Sequence, residues 1–249
     1  MIRRDGPAQV MDGAIVTGAG SGIGRAIAAQ LFAAGFRVAL VGRDAGKLAE
    51  TAAIAVDPRS ALVLAADLSA PGEAARIVER VLADWPRVSV LINNAVQAPL
   101  ATIAETREAL LRQLLEVNFV SHWVLVAGLW DTFVRGGGGC VVSISSLAIS
   151  ESMPRLAAYC ASKAALESLT RSLVHEGAPA NIRAYCVVPG AVDTPLLQRL
   201  ISQGLEAPAA RLSPQAVAEV VLACVQNRHR ADGRSIELPQ PGQRAPGFR

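Results

Sequence analysis

Short apolar runs without polar alternation recur along this chain, and segments of helix length separate them. Strands that are buried on both faces have this composition, because helices cover both sides of a parallel sheet. Repeated strand–helix units with right-handed crossovers predict one doubly wound α/β domain with a mostly parallel, seven-stranded sheet. The predicted strands lie at 13–17, 37–42, 61–66, 88–92, 139–145, 182–188 and 234–238. The predicted helices lie at 22–34, 45–55, 71–84, 108–135, 157–177 and 214–227.

The length and composition agree with a single domain. The chain has 249 residues, of which 51% are hydrophobic and 18% are charged, so it can bury a sizeable core. No repeat or linker divides it, and we predict one domain over 12–249, after a flexible N-terminal extension at 1–11. Because that extension lacks the apolar core of a signal peptide, we expect a cytoplasmic protein.

Charge and cysteine content argue against several other classes of protein. A net charge of +3 does not favour nucleic-acid binding as the main function. The four cysteines form no CxxC pair and the three histidines are scattered, so we predict no metal site. The most apolar stretch, 117–130, is shorter than a membrane span and contains Asn118 and His122, so we expect no membrane segment.

The predicted helix at 108–135 carries apolar residues around most of its circumference. One face would cover the sheet, and the remaining apolar surface needs another cover. A second subunit would provide it, which predicts a homodimer or a homotetramer. The alternative is that the following helix covers this surface within one monomer.

A glycine-rich turn joins the first predicted strand to the first predicted helix. It reads Thr-Gly-Ala-Gly-Ser-Gly-Ile-Gly over 17–24. Gly18, Gly22 and Gly24 allow a sharp turn, a close approach of the backbone to a pyrophosphate, and close packing of the helix on the sheet. The N–H groups at the helix N-terminus attract an anion. With a strand before it and a helix after it, the turn predicts a dinucleotide-binding site.

The end of the second predicted strand indicates which dinucleotide binds. A carboxylate there would bind the ribose 2′-hydroxyl of NAD, but this chain has Gly42 followed by Arg43. A guanidinium can grip a 2′-phosphate through several donors, so we predict that NADP(H) is preferred over NAD(H). The alternative is that Arg43 only caps the strand end in water, and Asp44 directly after it does not favour a phosphate.

Tyr159 and Lys163 lie at the start of a predicted helix rich in alanine and leucine. Residues i and i+4 share a helix face, so the phenol and the ammonium should point the same way. A nearby cation favours phenolate, and we expect a Tyr159 pKa below its usual value of about 10. Ser146 lies just past the fifth predicted strand, at the carboxyl edge where a doubly wound sheet binds its ligand. Lys163 is one of only two lysines among 24 basic residues, and a guanidinium would not replace a compact ammonium beside a phenol.

Together these segments resemble the compact, single-domain branch of the short-chain dehydrogenase/reductase family over nearly the whole chain. The matching pieces are the turn at 17–24, Asp67-Leu68, Asn93-Asn94-Ala95, Asn118, Ser145-Ser146, Tyr159-xxx-Lys163, and Pro189-Gly190 with Thr194. The resemblance implies a Rossmann fold. It also implies an oxidoreductase that moves a hydride between a nicotinamide ring and a carbonyl or secondary alcohol.

The resemblance further implies roles for individual residues. Tyr159 is the expected acid/base, and Ser146 orients the carbonyl oxygen. Lys163 binds the nicotinamide ribose and tunes Tyr159, while Asn118 steadies a water in the proton relay. Asp67 is expected near the adenine, Asn93 at the cofactor-facing strand end, and Pro189, Gly190 and Thr194 along the nicotinamide amide. The full set of predicted cofactor-binding residues is Gly18, Ser21, Gly22, Ile23, Gly24, Arg43, Asp67, Leu68, Asn94, Ala95, Val117, Tyr159, Lys163, Pro189, Gly190, Val192 and Thr194.

Two segments depart from the family pattern. Val96 stands where the family usually has glycine, and its β-branched side chain does not easily adopt glycine-only backbone angles. We expect it to narrow the pocket beside the nicotinamide. After the last predicted strand the chain continues Pro-Gln-Pro-Gly over 239–242, where the family often has a glycine-rich close that helps to make a subunit contact.

The predicted substrate pocket consists of the loops at 95–105, 147–156 and 190–213, which are mostly small and apolar. They favour an uncharged or hydrophobic ketone, and hence a carbonyl reductase or alcohol dehydrogenase acting on a small molecule. Two alternatives stay open: a 3-oxoacyl-thioester reductase of lipid metabolism, and a non-catalytic dinucleotide-binding sensor or scaffold. The complete set of Asn118, Ser146, Tyr159 and Lys163 argues against the sensor. His122 is predicted to be a helix residue without a catalytic role.

Overall fold

The computed structural model describes residues 12–85, 87–151, 153–230 and 233–242. The predicted N-terminal extension at 1–11 lies outside these ranges. Seven parallel strands form one sheet in the order β3-β2-β1-β4-β5-β6-β7. The strands are β1 (Gly13–Thr17), β2 (Arg37–Gly42), β3 (Ala61–Ala65), β4 (Val88–Asn93), β5 (Gly139–Ile144), β6 (Ile182–Pro189) and β7 (Ser235–Leu238). The predicted doubly wound sheet is confirmed, and its strand order reverses between β1 and β4, where such sheets bind ligands.

Helices cover both faces of the sheet. They are α1 (Gly22–Ala33), α2 (Ala45–Ala52), α3 (Glu73–Asp84), α4 (Glu108–Leu115), α5 (Ser121–Arg135), α6 (Ala148–Glu151), α7 (Ala157–Gly177), α8 (Pro195–Ser202) and α9 (Pro214–Val225). A π-helical turn, Glu116–Val120, joins α4 to α5, so the predicted helix at 108–135 is continuous.

The sequence analysis missed two short helices, α6 and α8. The segment 190–213 was predicted to be a loop, but α8 lies within it. The start of α8 carries ordinary capping signals: the Thr194 hydroxyl accepts a hydrogen bond from the Leu197 N–H at 3.2 Å, and Pro195 occupies the first turn. These signals are local, and α8 was not predicted because its segment has no long helical repeat of apolar residues.

The core consists of one apolar layer on each side of the sheet. On one face, Val16 and Leu40 pack against α1 and α9. On the other face, Ile15 and Leu91 pack against α3, α5 and α7. Alternate residues of each strand thus face opposite layers of helices. The carboxyl ends of the central strands lie along one edge of the sheet, together with the N-termini of α1 and α7.

The continuous helix at 108–135 is long and apolar enough, by length and composition, to cross a membrane. Half of its most apolar window is buried inside the protein, as expected for a core helix of a globular protein. The opposite face of this helix is exposed to solvent, since Trp123 is 52% exposed. Phe119 packs edge-on against Trp123, with the ring centres 6.1 Å apart.

Candidate active site

The glycine-rich turn forms a backbone cradle before α1. Gly18 and Gly22 have φ angles of +67° and +51°, which residues with side chains rarely adopt. A β-carbon at Gly24 would collide with the Gly18 carbonyl. The first turn of α1 carries no acidic residue, and the Ser21 side chain does not cap it, so its N–H groups remain available to an anion. The cradle therefore fits the pyrophosphate of a dinucleotide.

Asn94 fastens the loop after β4 to this cradle. Its backbone N–H donates to the Thr17 hydroxyl at 2.9 Å, and its side-chain amide donates to the Thr17 carbonyl at 2.8 Å. The Thr17 hydroxyl also accepts from the Ala95 N–H at 2.9 Å and donates to the Ile92 carbonyl at 3.0 Å. These bonds hold the two strand ends at the switch point as one unit.

A cavity of about 600 Å³ extends along the cradle. It is lined by ten of the predicted cofactor-binding residues: Gly18, Ser21, Gly22, Ile23, Gly24, Arg43, Leu68, Asn94, Ala95 and Thr194. Val96 also lines it, as expected, and does so without a positive φ. Lining residues that the sequence analysis did not predict include Lys47, Gln97, Leu110, Gln113, Arg199 and Gln203. Three of these, Leu110, Gln113 and Arg199, come from α4 and α8, and only the tertiary packing brings those helices to the cavity.

Charged side chains lie where the end of β2 meets the cavity. Arg43 and Lys47 both line it, and so does Asp44. The Asp44 carboxylate caps α2 by accepting from the Lys47 N–H at 3.1 Å, and it lies 3.8 Å from the Lys47 ammonium. Hydrogen bonds from Ser69 hold the pKa of the Asp67 carboxyl below its usual value, and Arg43 adds a weaker attraction. Arg43 thus lines the cavity and also attracts the Asp67 carboxylate.

The predicted acid/base group assembles at the adjoining sheet edge. Tyr159 lies in the first turn of α7, and its hydroxyl is hydrogen-bonded to that of Ser146. The Ser146 oxygen also accepts from the Ala148 N–H at 3.2 Å. Lys163 is only 2% exposed, and its ammonium lies 5.9 Å from the centre of the Tyr159 ring. The same ammonium donates to the Ile144 carbonyl at 2.7 Å.

The expected lowering of the Tyr159 pKa is wrong for this structure. Burial raises the pKa of Tyr159 to about 12, and the hydrogen bond with Ser146 offsets only part of that rise. Burial also lowers the pKa of Lys163 to about 8. The ammonium is directed at the Ile144 carbonyl, so desolvation of the phenolate outweighs the attraction of the cation. At neutral pH Tyr159 is therefore a protonated phenol, which can donate a proton.

Asn118 occupies the π-helical turn and is completely buried. Its side-chain oxygen accepts from the Gln97 N–H at 2.8 Å, and its amide donates to the Gln97 carbonyl and the Ser162 hydroxyl, each at 2.9 Å. The side chain thus ties the loop after β4 to α7. These bonds engage both ends of the side-chain amide, and the contact of Asn118 with a water stays a prediction.

The other predicted residues surround the site without lining the cavity. Pro189 ends β6, and Gly190 donates to the Leu238 carbonyl at 2.9 Å. Asn93 ends β4, as predicted, but it is completely buried and does not line the cavity. The predicted cofactor-binding residues that do not line the cavity are Asp67, Val117, Tyr159, Lys163, Pro189, Gly190 and Val192. Their contacts with a cofactor stay predictions.

An apolar cluster lies beside Tyr159 in the predicted substrate region. Its buried members are Ala98, Leu156 and Leu200, and Leu196 packs against them from α8. Around it lie Leu100, Met153, Cys160 and Leu205. All three segments predicted to build the substrate pocket contribute to this cluster. The surface beside the phenol therefore suits an apolar group.

Comparisons with known proteins agree with this geometry. A family model described as short chain dehydrogenase matches residues 12–204. A dehydrogenase/reductase SDR family protein 7-like from Drosophila melanogaster is 34% identical over 223 residues, which cover 85% of this chain and 68% of that protein.

Two solved structures have the same fold. A 3-oxoacyl-(acyl-carrier-protein) reductase from Agrobacterium tumefaciens C58 with NADP bound has a TM-score of 0.81 at 28% identity, covering 92% of this chain and 94% of that one. A 3-ketoacyl-(acyl-carrier-protein) reductase from Brucella melitensis complexed with NADH also has a TM-score of 0.81, at 26% identity, covering 94% of this chain and 99% of that one.

The family match spans the glycine cradle as well as the segment that carries Ser146, Tyr159 and Lys163. The cradle fits a dinucleotide, and the phenol beside it can exchange a proton with an alcohol or carbonyl oxygen. On this combined evidence the chain belongs to the short-chain dehydrogenase/reductase family, whose members oxidise alcohols or reduce carbonyl compounds with a nicotinamide cofactor.

Proposed function

We propose that this enzyme uses NADP(H) to interconvert a small-molecule ketone and its secondary alcohol, with Tyr159 as the acid/base. The observation that carries the proposal is the grouping of Ser146, Tyr159 and Lys163 at the carboxyl edge of the sheet. Tyr159 packs against an apolar cluster whose Ala98 also lines the cavity. A carbonyl group between the phenol and the cavity would meet a proton donor on one side and the nicotinamide on the other. The apolar cluster beside Tyr159 supports a hydrophobic ketone.

The cradle residues would hold the cofactor, which supplies or accepts the hydride when bound. The Gly18 and Gly22 turns and the N-terminus of α1 would bind the pyrophosphate through backbone N–H groups. Asn94, Ala95 and Thr194 line the cavity further along and would border the nicotinamide half. Lys163 would reach the nicotinamide ribose, and Pro189 and Gly190 its amide, as the family resemblance implies.

Proton transfer falls to the side chains at the sheet edge. During reduction the carbonyl oxygen must gain a proton, and the Tyr159 hydroxyl holds one because burial raises its pKa to about 12. The Ser146 hydroxyl, already hydrogen-bonded to the phenol, would orient the same carbonyl oxygen. After the transfer, the nearby Lys163 ammonium would stabilise the phenolate. The Asn118 carbonyl would bind a water that returns the proton.

The preference for NADP(H) follows from the residues after β2. Arg43 and Lys47 line the cavity, and the 2′-phosphate would bring about two negative charges next to them. Asp44 also lines the cavity, but its carboxylate faces the Lys47 N–H and ammonium. The positive charges of Arg43 and Lys47 therefore support NADP(H) as the preferred cofactor. The alternative, that Arg43 only caps the strand end in water, is an outcome of the cofactor measurements below.

A 3-oxoacyl thioester is the second candidate substrate. Solved relatives that share the fold at a TM-score of 0.81 are reductases of thioesters on acyl-carrier protein, which favours this class. In this chain Arg199 lines the cavity from α8 and would offer a cation to a carrier group at the rim. The activity panel described below includes such a thioester.

We also propose that the enzyme is a cytoplasmic homodimer or homotetramer whose subunits pack through the outer face of α4 and α5. Trp123 is 52% exposed and Val134 is 46% exposed on that face, so α7 does not cover it within the monomer. A second subunit would bury this apolar surface. Light scattering should give the mass of a dimer or a larger assembly at micromolar concentration; the mass of a monomer would contradict the proposal.

The substitution Tyr159→Phe tests the proposed chemistry. The hydroxyl supplies a proton in the transition state and contributes little to ground-state binding. Turnover should therefore fall by at least about 100-fold, while NADPH affinity stays nearly unchanged. NADPH consumption with a panel of ketones and a 3-oxoacyl thioester measures the first quantity, and fluorescence titration measures the second.

Tyr185→Phe is the matched control, because Tyr185 is the other tyrosine of the chain. Its hydroxyl donates to the His229 carbonyl at 3.1 Å, beside the end of α9. Its loss should change stability by about 1 kcal/mol and leave turnover almost unaffected. Residual activity above a tenth of wild type in Tyr159→Phe would remove Tyr159 from the acid/base role. A wild type that binds NADPH but consumes none across the panel would favour the sensor alternative.

A further inference from the structure

A layer of polar side chains interrupts the apolar core beneath the active site. Asn93 and Ser143 are register partners on β4 and β5, so their side chains point to the same face of the sheet. Two residues earlier on each strand, Leu91 and Val141 pack in the core layer formed by α3, α5 and α7. Asn93 and Ser143 therefore lie in that layer, one step nearer to the carboxyl edge.

His122 lies in the first turn of α5, a helix that packs on this layer. It is completely buried, and Leu125, one helical turn further, belongs to the same core layer as Leu91. A crossover helix runs antiparallel to the strands that it connects. His122, one turn before Leu125 on α5, therefore lies nearer than Leu125 to the carboxyl edge of the sheet. Burial lowers the pKa of His122 to about 3, the charge of Lys163 adds to this effect, and the Asn118 carbonyl opposes it. The ring is thus neutral and lies near both of these groups.

Five polar atoms in this layer have no partner among the residues that the structure describes. They are both amide atoms of Asn93, the Ser143 hydroxyl oxygen and both ring nitrogens of His122. His122 approaches the Asn118 carbonyl without a well-aligned hydrogen bond. Folded proteins pair nearly all such buried atoms, and ordered water does so where no protein group can. Three neighbouring side chains with five unpaired atoms therefore indicate a shared partner.

We propose that Asn93, Ser143 and His122 form an internal water-binding site, and that His122 acts through it as a positioning residue for Lys163 and for the Asn118 turn. One water has two donors and two acceptors. It can donate to the Asn93 oxygen and to the unprotonated nitrogen of His122, and accept from the Asn93 amide and the Ser143 hydroxyl. The remaining N–H of the neutral imidazole then points to the Asn118 carbonyl.

This water would join the two anchors of the catalytic group. Ser143 precedes Ile144, whose carbonyl accepts the hydrogen bond from the Lys163 ammonium at 2.7 Å. His122 lies four residues after Asn118, whose turn is bonded to α7 through Ser162. Fixing Ser143 and His122 to one water therefore fixes the end of β5 against the start of α5. The kinetic consequence rests on the proposed function, but the water site itself does not.

A crystal structure of the NADPH complex, at a resolution that shows ordered water, tests the site directly. We expect density within hydrogen-bond distance of Asn93, Ser143 and His122. In Ser143→Asn the added amide should displace that density, while NADPH affinity stays within about twofold of wild type. A dry layer in which the three side chains pair with one another would overturn the water site. This readout does not depend on whether Tyr159 is the acid/base.

Steady-state kinetics test the positioning role. His122→Phe keeps the ring volume but removes both nitrogens, and kcat should fall about tenfold through misplacement of Lys163, with the KM for NADPH within twofold of wild type. His122→Gln, which keeps polar atoms, should recover most of that loss. A role in packing alone predicts the opposite order, with Phe more active than Gln, and that result would overturn the positioning role.

Thr132→Val is the matched control on the same helix. Thr132 is buried on α5 about 15 Å further from the active site than His122, so this variant should keep the wild-type kcat. If His122→Phe does not fold, Ser143→Ala removes one partner of the water without adding volume and should lower kcat in the same way. A wild-type kcat in Ser143→Ala, together with a water that remains bound, would also overturn the positioning role.

Discussion

The two ends of the candidate active site, the glycine cradle and the group around Tyr159, would contact their ligands by different means. At the cofactor end, Gly18 and Gly22 supply backbone angles that other residues rarely adopt, and Gly24 leaves no space for a β-carbon. At the proposed catalytic end, Tyr159 and Lys163 would act through side chains whose pKa values burial moves in opposite directions, up for the phenol and down for the ammonium. Cofactor binding would depend on the backbone shape of one short segment. Proton transfer would depend on the environment that the whole fold creates around two side chains.

This difference predicts how each end responds to substitution. A change in the cradle should affect cofactor binding before any chemistry, because backbone N–H groups lose their positions. A change at the catalytic end should affect turnover while binding stays intact. The following predictions test that separation, beginning with the largest expected effect.

Gly24→Ala should abolish tight cofactor binding. Its β-carbon would collide with the Gly18 carbonyl and lie 2.6 Å from the Asn94 amide nitrogen, so the cradle must deform. We expect the Kd for NADPH to rise by about 100-fold or more, which corresponds to ~2.7 kcal/mol. Fluorescence titration measures the Kd, and circular dichroism checks the fold.

Gly46→Ala provides the control for that variant. Gly46 lies in α2, where a β-carbon would meet only the Asp44 carboxylate, at 3.3 Å. Replacing a helical glycine with alanine should stabilise the protein by up to about 1 kcal/mol and leave the Kd almost unchanged. Equal NADPH affinity in Gly24→Ala and wild type would show that the cradle does not hold the cofactor by its backbone.

Cofactor preference is the one property of the cradle end that we expect to depend on side chains. A charge-assisted contact of Arg43 with the 2′-phosphate should make kcat/KM about ten- to a hundredfold higher with NADPH than with NADH. Arg43→Ala should lower NADPH use and leave NADH use nearly unchanged. Gly42→Asp should reverse the preference, because a carboxylate there repels the phosphate and accepts from the ribose hydroxyls. Equal use of both cofactors by the wild type would mean that Arg43 faces solvent.

The pH dependence of reduction should report the buried lysine. Burial lowers the pKa of Lys163 to about 8, so the ammonium is present below that pH and is lost as the pH rises through it. The phenolate that forms on Tyr159 then loses its stabilising charge, and the reductive kcat should fall, by up to about tenfold at one pH unit above the pKa. Tyr159 stays protonated over this range because its own pKa is raised to about 12. A reductive kcat that is flat from pH 7 to pH 9.5 would contradict this role for Lys163.

Features that depend on neighbouring residues in the chain can be predicted from the sequence, whereas those that depend on packing cannot. The seven strands, the cradle and the Tyr159–Lys163 spacing were predicted because each depends on neighbours in the chain: an apolar run, a set of glycines, or an i,i+4 pair on one helix. The short helix α8 carried local signals as well, in Thr194 and Pro195, but its segment was assigned to a loop. Arg199 and Gln113 gave no comparable signal, since α8 and α4 meet the cavity only after folding.

The sequence by itself thus determined the doubly wound sheet, the family and the residues that meet at the sheet edge. The tertiary structure decided the state of those residues. It reversed the expected pKa shift of Tyr159, because desolvation by segments distant in the chain outweighs the attraction of a cation one helical turn away. It also buried Asn93, at the end of β4, beside its register partner Ser143. Burial is a property of the packed molecule, and it controls both the acidity of a phenol and the cost of an unpaired amide.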